Sequence, residues 1–340
     1  MATIYRPHLW SSAMKAAIVT RYGPPEVVHI AEIPTPAPKD NEVLIRIHAA
    51  TVSTGDWRLR SADVPRGFGL IIRLLFGITG PRQPILGTEL SGVIERIGKA
   101  VTRFKPGDEV FAFPGLKARC HAEYRTMAET GNILPKPANL SHAQAAALAF
   151  GGTTALYFLR AQAALKPGDK LLILGASGAV GSAAVQIAKQ LGAHVTGVSS
   201  GANLDLVRRL GADAVIDYTA QDFTKSPAQY DIIFDTVGAT TYAKCQAVLA
   251  KNGRFLMAVA GLPETLGTFW PRPHGHKIKA GGGPERLTDL ILLADWATKG
   301  RYTPVIDSIY RLDQIVAAYA RVETGHKRGN TVITFDQMPA

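Results

Sequence analysis

The chain has 340 residues, enough for two domains, and 46% apolar against 19% charged residues marks an ordinary globular protein with sizeable cores. Its formal net charge is +11, but arginines such as Arg58, Arg66, Arg103 and Arg208 are dispersed, so no block reads as a nucleic-acid arm, and the balance suits a polyanionic small ligand. Two cysteines, Cys120 and Cys245, exclude a disulfide framework and a cysteine-rich zinc lobe and fit a cytoplasmic location, and no apolar run approaches the ~20 residues of a membrane span.

Residues 1–13 are polar and lack an acid, and read as a flexible extension. Strands are expected at 15–20, 27–33, 42–50, 91–97, 109–112 and 122–126, a β-rich first domain. Lys105-Pro106-Gly107-Asp108 and Lys166-Pro167-Gly168-Asp169 are turns that each launch a strand. The stretch 65–84 is apolar and glycine-rich. It reads either as a mobile cover whose Phe68 and Phe76 line an apolar substrate pocket, or, at Leu70 to Phe76, as a helix on the core. Ser141 caps a helix to Ala149, and Gly151-Gly152-Thr153-Thr154 leads into a second, 155–164. Strands at 170–174, 194–198, 214–216, 231–235 and 254–259 then alternate with helices near 179–190, 203–210 and 239–250, which is an α/β doubly wound parallel sheet. A helix from Pro284 to about Lys299, a strand 302–309, a helix 313–323 and a strand 331–335 close the chain, the tail returning to the first domain. The expected division is 14–138 together with 300–340, and 139–299.

The chain is organised around Lys170 to Ser200. The apolar run Leu171 to Leu174 is followed by Gly175-Ala176-Ser177-Gly178-Ala179-Val180-Gly181, a helix, and a second strand. Strand, glycine loop, helix and strand together form the βαβ unit in which backbone N–H groups at a helix start hold a pyrophosphate. An acid about 20 residues past the glycines would bind the 2′-hydroxyl of NAD. Here Ser199, Ser200 and Asn203 follow the second strand, so NADPH is expected, with Arg208, Lys225 and Tyr218 as candidates for its 2′-phosphate. Asn203 also suits the N-cap of the next helix.

These parts, with Met14-Lys15-Ala16, Tyr22-Gly23-Pro24-Pro25, Gly92-Val93-Ile94, Phe104 to Val110, Leu210-Gly211-Ala212-Asp213, Asp231 to Gly238 and Gly325 to Ile333, resemble the medium-chain dehydrogenase/reductase superfamily. The resemblance is to its zinc-free quinone oxidoreductase (zeta-crystallin-like) branch. It implies a Rossmann domain plus a GroES-like catalytic domain, with substrate in the cleft between them. Zinc-dependent relatives carry ligands where this chain has Ser53, Thr88 and, nearby, Phe150. These side chains do not replace a thiolate or an imidazole, so no metal is expected. His274 and His276, in a Pro/Gly loop, are expected to be solvated.

The resemblance also places site residues. Ser53 and Asp56 are the catalytic candidates, with Trp57 as an apolar wall. Ser53 is a candidate donor to substrate, or inert; Asp56 is equally a helix cap. Some relatives carry a tyrosine near this loop as proton donor; here Arg58 and Arg60 stand and water is the default. Thr154, Thr236, Val237, Gly238, Val259 and Ala260 are expected on the nicotinamide side. Lys327, Arg328 and Asn330 are expected to close over the cofactor, or to form a solvated basic turn. The implied activity is an NADPH-dependent hydride transfer to a quinone or α,β-unsaturated carbonyl by a cytoplasmic homodimer, with no nucleic-acid or membrane partner. The dimer edge is expected at 254–259. The alternatives are a zinc-free alcohol or aldehyde oxidoreductase and a nucleotide-binding structural protein with little turnover.

Overall fold

The computed structural model describes residues 13–335. The expected extension lies outside the described residues except Ala13, which opens the first strand. In chain order the strands are β1 Ala13–Val19, β2 Val28–Pro34, β3 Glu42–Val52, β4 Leu90–Ile97, β5 Glu109–Ala112, β6 Tyr124–Ala128, β7 Ile133–Pro135, β8 Lys170–Leu174, β9 His194–Ser199, β10 Ala214–Asp217, β11 Tyr230–Asp235, β12 Leu249–Met257, β13 Lys277–Ala280, β14 Ile306–Arg311 and β15 Asn330–Thr334. The helices are α1 Thr54–Ser61, α2 Gly69–Phe76, α3 His142–Ala146, α4 Ala149–Leu156, α5 Ala179–Gln190, α6 Leu204–Arg209, α7 Tyr242–Cys245, α8 Leu262–Leu266, α9 Leu287–Thr298 and α10 Ile315–Glu323.

In the first domain β1 and β2 form a hairpin, and β14-β15-β3-β4-β5-β7 form a sheet with β6 also on β3. Val43, Ile45 and Ile47, two apart, point to one face of β3 and meet Leu90, Ile94 and Val110 in the core. The chain tail completes that core. β15 runs antiparallel to β3, with Val332 opposite Thr51, and α10 adds Ile315, Tyr319 and Val322. The return expected from sequence is therefore present, and it carries the 325–330 turn to the mouth of the second domain.

That second domain is a six-stranded parallel sheet in the order β10-β9-β8-β11-β12-β13. Strand order reverses between β8 and β11, and the carboxyl ends there form the crevice where open α/β sheets bind ligands. Leu171, Ile173, Ile187, Phe234 and Leu293 are buried in its core, each contributing roughly 1.5–3 kcal/mol.

Several expectations are corrected. Gly151 to Thr154 lies inside α4 rather than leading into a helix. A Cβ at Gly151 would come 2.6 Å from the Ala179 carbonyl oxygen, and one at Gly152 2.7 Å from Leu293 Cδ1. These glycines allow helix packing and do not punctuate a loop. Ser141 does cap α3, in a capping box with Gln144. Yet α3 packs on the first domain, where His142 stacks on His48 at 4.5 Å and its Nδ1 lies 2.8 Å from Ser91 Oγ. Leu140 and Ala145 also join the core of the second domain, so α3 bridges the two.

The helix expected over 239–250 shrinks to α7, because Leu249 pairs with Tyr230 in the sheet and overrides local helix preference. β12 is interior, flanked by β11 and β13, so the expected dimer edge at 254–259 is not an edge. The edge is β13, unpredicted because Ile278 is its one buried residue between Lys277 and Lys279. Lysines on an edge strand are a usual guard against pairing with other chains.

Candidate functional site

The glycine loop after β8 sits at the crevice. Gly175 has φ +74°, and a Cβ on Gly181 would come 2.1 Å from the Gly175 carbonyl oxygen, so α5 can only start this close without a side chain there. Ala176 is likewise buried in the core. Gly178 differs: a Cβ there would meet nothing nearer than 3.5 Å, and its face is open to the cleft. Asp235, fully buried at the end of β11, shapes the next loop. Its carboxylate accepts from the N–H groups of Val237, Gly238, Ala239 and Thr240 at 2.8–3.2 Å. Thr236 Oγ1 donates to the Leu174 carbonyl at 2.7 Å and ties the two strand ends together.

Two clefts meet over this loop, sharing Gly178, Val237, Gly325 and Lys327. The first, about 340 Å3, is lined by Ser177, Ser199, Ser200, Asn203 and Tyr218, and by Phe223 and His326, which the sequence reading missed. Ser199 Oγ donates to Ser177 Oγ at 2.8 Å. Asn203 does not cap α6: its Nδ2 donates to Ser177 Oγ and Ser200 Oγ at 3.2 Å, and its buried Oδ1 has no partner. Arg208 is paired with Asp205 at 2.8 Å, Lys225 stands beside Asp222 at 3.9 Å, and neither lines the cleft. Asp217 closes β10 on the far side of the same loop. A Cβ on Gly201 would come 2.6 Å from its Oδ2. Hydrogen bonds from Thr219 hold that carboxyl below its ordinary range. The residues present fit a dinucleotide: an open glycine face, small hydroxyls and an unpartnered buried amide oxygen lie along one groove.

The second cleft, about 490 Å3, is lined by Trp57, Arg58, Phe150, Thr154, Phe158, Val180, Val259 and the backbone of Gly281 to Gly283, among others. Phe150, Phe158 and the three glycines were not anticipated as cleft walls; a run of glycines can mark a close backbone approach. Gly238 and Ala260 face a separate hollow beside Tyr242. Phe68 and Phe76 do not reach this cleft. They belong to the segment around α2, in which no residue is buried, with Leu70 71% exposed. That helix neither covers the cleft nor packs on the core.

Ser53 and Asp56 are also absent from the cleft walls. Ser53 Oγ donates to Asp56 Oδ2 at 2.6 Å, the Ser53 N–H donates to the same oxygen at 2.8 Å, and the Gly87 N–H donates to Oδ1 at 2.9 Å. Ser53 is the N-cap of α1 and Asp56 its capping-box partner, so both are spent on structure. Ser53→Ala is expected to lower stability by about 1–2 kcal/mol and leave kcat within about twofold. Urea unfolding and steady-state rates check this; a kcat loss without a stability loss would return Ser53 to the catalytic candidates.

Glu89 is the titratable group that sequence reasoning passed over. It is fully buried, accepts from Thr51 Oγ1 at 2.5 Å and from the Phe150 N–H at 2.7 Å, and burial pushes its carboxyl up to about 7. Lys327 is clamped at the junction of the clefts. The Gly329 N–H donates to the Ser177 carbonyl at 2.8 Å, and Lys327 Nζ donates to the Gly329 carbonyl at 2.7 Å. Burial pushes its ammonium down to about 8, partly offset by Asp307 and Glu89. Arg328 and Asn330 do not line either cleft: the Arg328 N–H bonds Asp307 and Asn330 bonds the Val305 carbonyl.

Among the described residues no three His, Cys, Asp or Glu gather as a metal site. Phe150 and Ser53 flank Gly55, and Thr88 Oγ1 is buried without a partner. His274 is exposed, but His276 is buried, with Nδ1 3.0 Å from the Tyr242 hydroxyl, so only one of the pair is solvated.

Comparison with known proteins agrees with this architecture. Residues 39–170 match the alcohol dehydrogenase GroES-like domain family, and residues 210–333 match the family described as zinc-binding dehydrogenase. A mitochondrial NAD(P)H oxidoreductase of Bos taurus is 33% identical over 95% of this chain and 89% of its own. A 2-methylene-furan-3-one reductase of Solanum lycopersicum is 30% identical over 95% of this chain and 79% of its own. The solved structure of a quinone oxidoreductase from Coxiella burnetii superposes with a TM-score of 0.84 at 28% identity, covering 96% of this chain and all of the other.

Proposed function

Since the chain belongs to the medium-chain dehydrogenase/reductase superfamily, alongside its quinone oxidoreductases, we propose that it is an NADPH-dependent, zinc-independent reductase of quinones or α,β-unsaturated carbonyls. The chain's relatives show that it is an oxidoreductase that uses a nicotinamide cofactor and a small-molecule substrate. One observation supports the finer reading. The groove over the glycine loop shares Gly178, Val237, Gly325 and Lys327 with an adjoining chamber walled by Trp57, Phe150 and Phe158.

A reduced nicotinamide supplies hydride. The protein's part is to align donor and acceptor and to keep water out. Trp57, Phe150 and Phe158 offer flat apolar faces that suit a planar conjugated acceptor. Serine, threonine and phenylalanine at the positions of relatives' zinc ligands favour an acceptor that needs no Lewis acid, which an enone or quinone satisfies better than an alcohol. The Ser200 hydroxyl is suited to a 2′-phosphate, while Ser199 donates to Ser177 and the free Asn203 Oδ1, an acceptor, suits a ribose hydroxyl. We also propose a cytoplasmic location and a homodimer.

The test is a titration with NADPH and NADH followed by turnover of enones, quinones and aldehydes. NADPH is expected to bind at least about tenfold tighter, a difference of about 1.4 kcal/mol. Ser200→Asp is expected to reverse that order, since a carboxylate beside the 2′-phosphate repels it and can accept from a 2′-hydroxyl. Equal binding of both cofactors would remove the phosphate assignment. Binding without turnover of any acceptor would favour the structural-protein alternative.

A further inference from the structure

Arg58 lines the apolar chamber and has no counter-ion. It stands on α1, half-buried, with its guanidinium carbon 5.9 Å from the Trp57 ring centroid. Among the described residues its guanidinium makes neither a hydrogen bond nor an ion pair. The nearby carboxylates are committed elsewhere. Asp56 is consumed by Ser53 and Gly87. Glu323 accepts from Trp57 Nε1 at 3.0 Å and pairs with Arg60 at 3.1 Å. Asp63 acts on Arg58 only through space. Arg60, two residues on, shows the contrast: it is fully buried, donates from Nη1 to the Gly23 carbonyl, and has Glu323 as counter-ion and the Tyr319 face beside it.

An arginine stays ionised at neutral pH, and holding its charge in an apolar chamber is costly unless an anion meets it. The cleft's other cation, Lys327, lines both clefts together with Gly178, which suits it to a dinucleotide phosphate on the glycine loop. Arg58 is therefore left for the substrate. Its five N–H donors form a fork that fits a carboxylate in two parallel hydrogen bonds. A planar conjugated body would lie against Trp57 and Phe150 while the anionic group meets the guanidinium.

We propose that the physiological acceptor is a conjugated carbonyl compound bearing a carboxylate or similar anionic group, and that Arg58 is the residue that selects it. The inference rests on the carbonyl-reductase reading above. In the reaction, hydride from the reduced nicotinamide, which is thereby oxidised, adds to the β-carbon; the C=C pair shifts to the α-carbon–carbonyl bond and the C=O pair onto oxygen; a water proton at the α-carbon then gives the saturated ketone, and the hydroxide left is neutralised by solvent. The anionic group takes no part in the chemistry, so Arg58 acts on binding.

The test compares 4-phenyl-3-buten-2-one with the same ketone carrying a para-carboxylate on its ring. Wild type is expected to show a KM at least about tenfold lower for the acid, at similar kcat. Arg58→Gln should raise KM for the acid by about the same factor and leave the neutral ketone within about twofold; Arg58→Lys should recover part of the difference. Equal KM values for the two ketones in wild type would overturn the proposal. So would an equal loss on both ketones in Arg58→Gln, which would mean that Arg58 merely braces Trp57. If neither ketone is reduced, the carbonyl-reductase reading fails on its own. Calorimetric titration of both ketones into wild type and Arg58→Gln with NADP+ present then decides the arginine's role: preference for the acid that vanishes in the variant supports it, and no preference sinks it.

Discussion

Replacing Lys327 by methionine is expected to weaken nicotinamide dinucleotide binding by about 10–100-fold at neutral pH, the size of one charge-assisted hydrogen bond to phosphate. The lysine sits where the two clefts meet, next to the open face of Gly178, and its turn is bolted to the glycine loop through the Gly329–Ser177 bond. Methionine keeps the length and apolar bulk of the stem, so the turn should hold. A distinctive pH dependence follows. Burial lowers the ammonium to about 8, so in wild type the charge fades as pH rises through that value. An approaching phosphate favours the charged form, so binding takes up a proton and affinity falls above about pH 8. In Lys327→Met the dissociation constant should be flat from about pH 7 to about pH 9, and Lys327→Arg should bind well throughout with no fall. Fluorescence titration across that range reads both. A methionine variant that binds within about twofold of wild type would leave Lys327 with a purely structural role.

Glu89→Gln carries the second large effect, on stability. The carboxyl is raised from 4.5 to about 7 in the folded chain, chiefly by burial. A raised pKa means that the folded state holds its proton more tightly than the unfolded state. The contribution is fully present below about 4.5 and is lost as pH rises through about 7. The shift corresponds to about 3 kcal/mol between those limits. Glutamine cannot ionise, so the variant should lack this slope. Its absolute stability carries an offset, because an amide NH2 would face one of the two donors, Thr51 Oγ1 or the Phe150 N–H, that now meet carboxylate oxygens. The slope is therefore the readout. Urea unfolding at about pH 5 and about pH 8.5 should show the difference between variant and wild type shifting by about 2–3 kcal/mol in the variant's favour. Parallel pH curves would mean that Glu89 does not titrate in this window. Because Glu89 faces Lys327 through space, the double variant should show non-additive stability.

The sequence by itself determined the two-domain plan, the parallel sheet and the glycine loop. Each rests on local information. Leu171 to Leu174 can only be a buried strand, Gly175 and Gly181 mark a backbone that admits no Cβ, and period-two apolar residues set the face of β3. Element boundaries failed where pairing partners lie far away in the chain. Leu249 is drawn into β12 by Tyr230, and β13 exists because β12 offers it an edge. The same limit governs the site. Ser53 and Asp56 stand where relatives suggest chemistry; the sequence left Asp56 equally a cap, and the folded α1 shows a capping box that uses up both. Phe68 and Phe76 look like pocket walls as a string of apolar residues, yet α2 projects them elsewhere. Arg58 and Glu89 are assigned no role by any motif, and Lys327 enters only through the resemblance of Gly325 to Ile333. Their importance comes from having or lacking a partner across 30 to 240 residues of chain, and from the burial that moves a pKa, neither of which is encoded in local spacing. Charge pairing and desolvation are properties of the assembled interior, so only the tertiary structure could decide which ionisable side chains remain unpaired in the cleft.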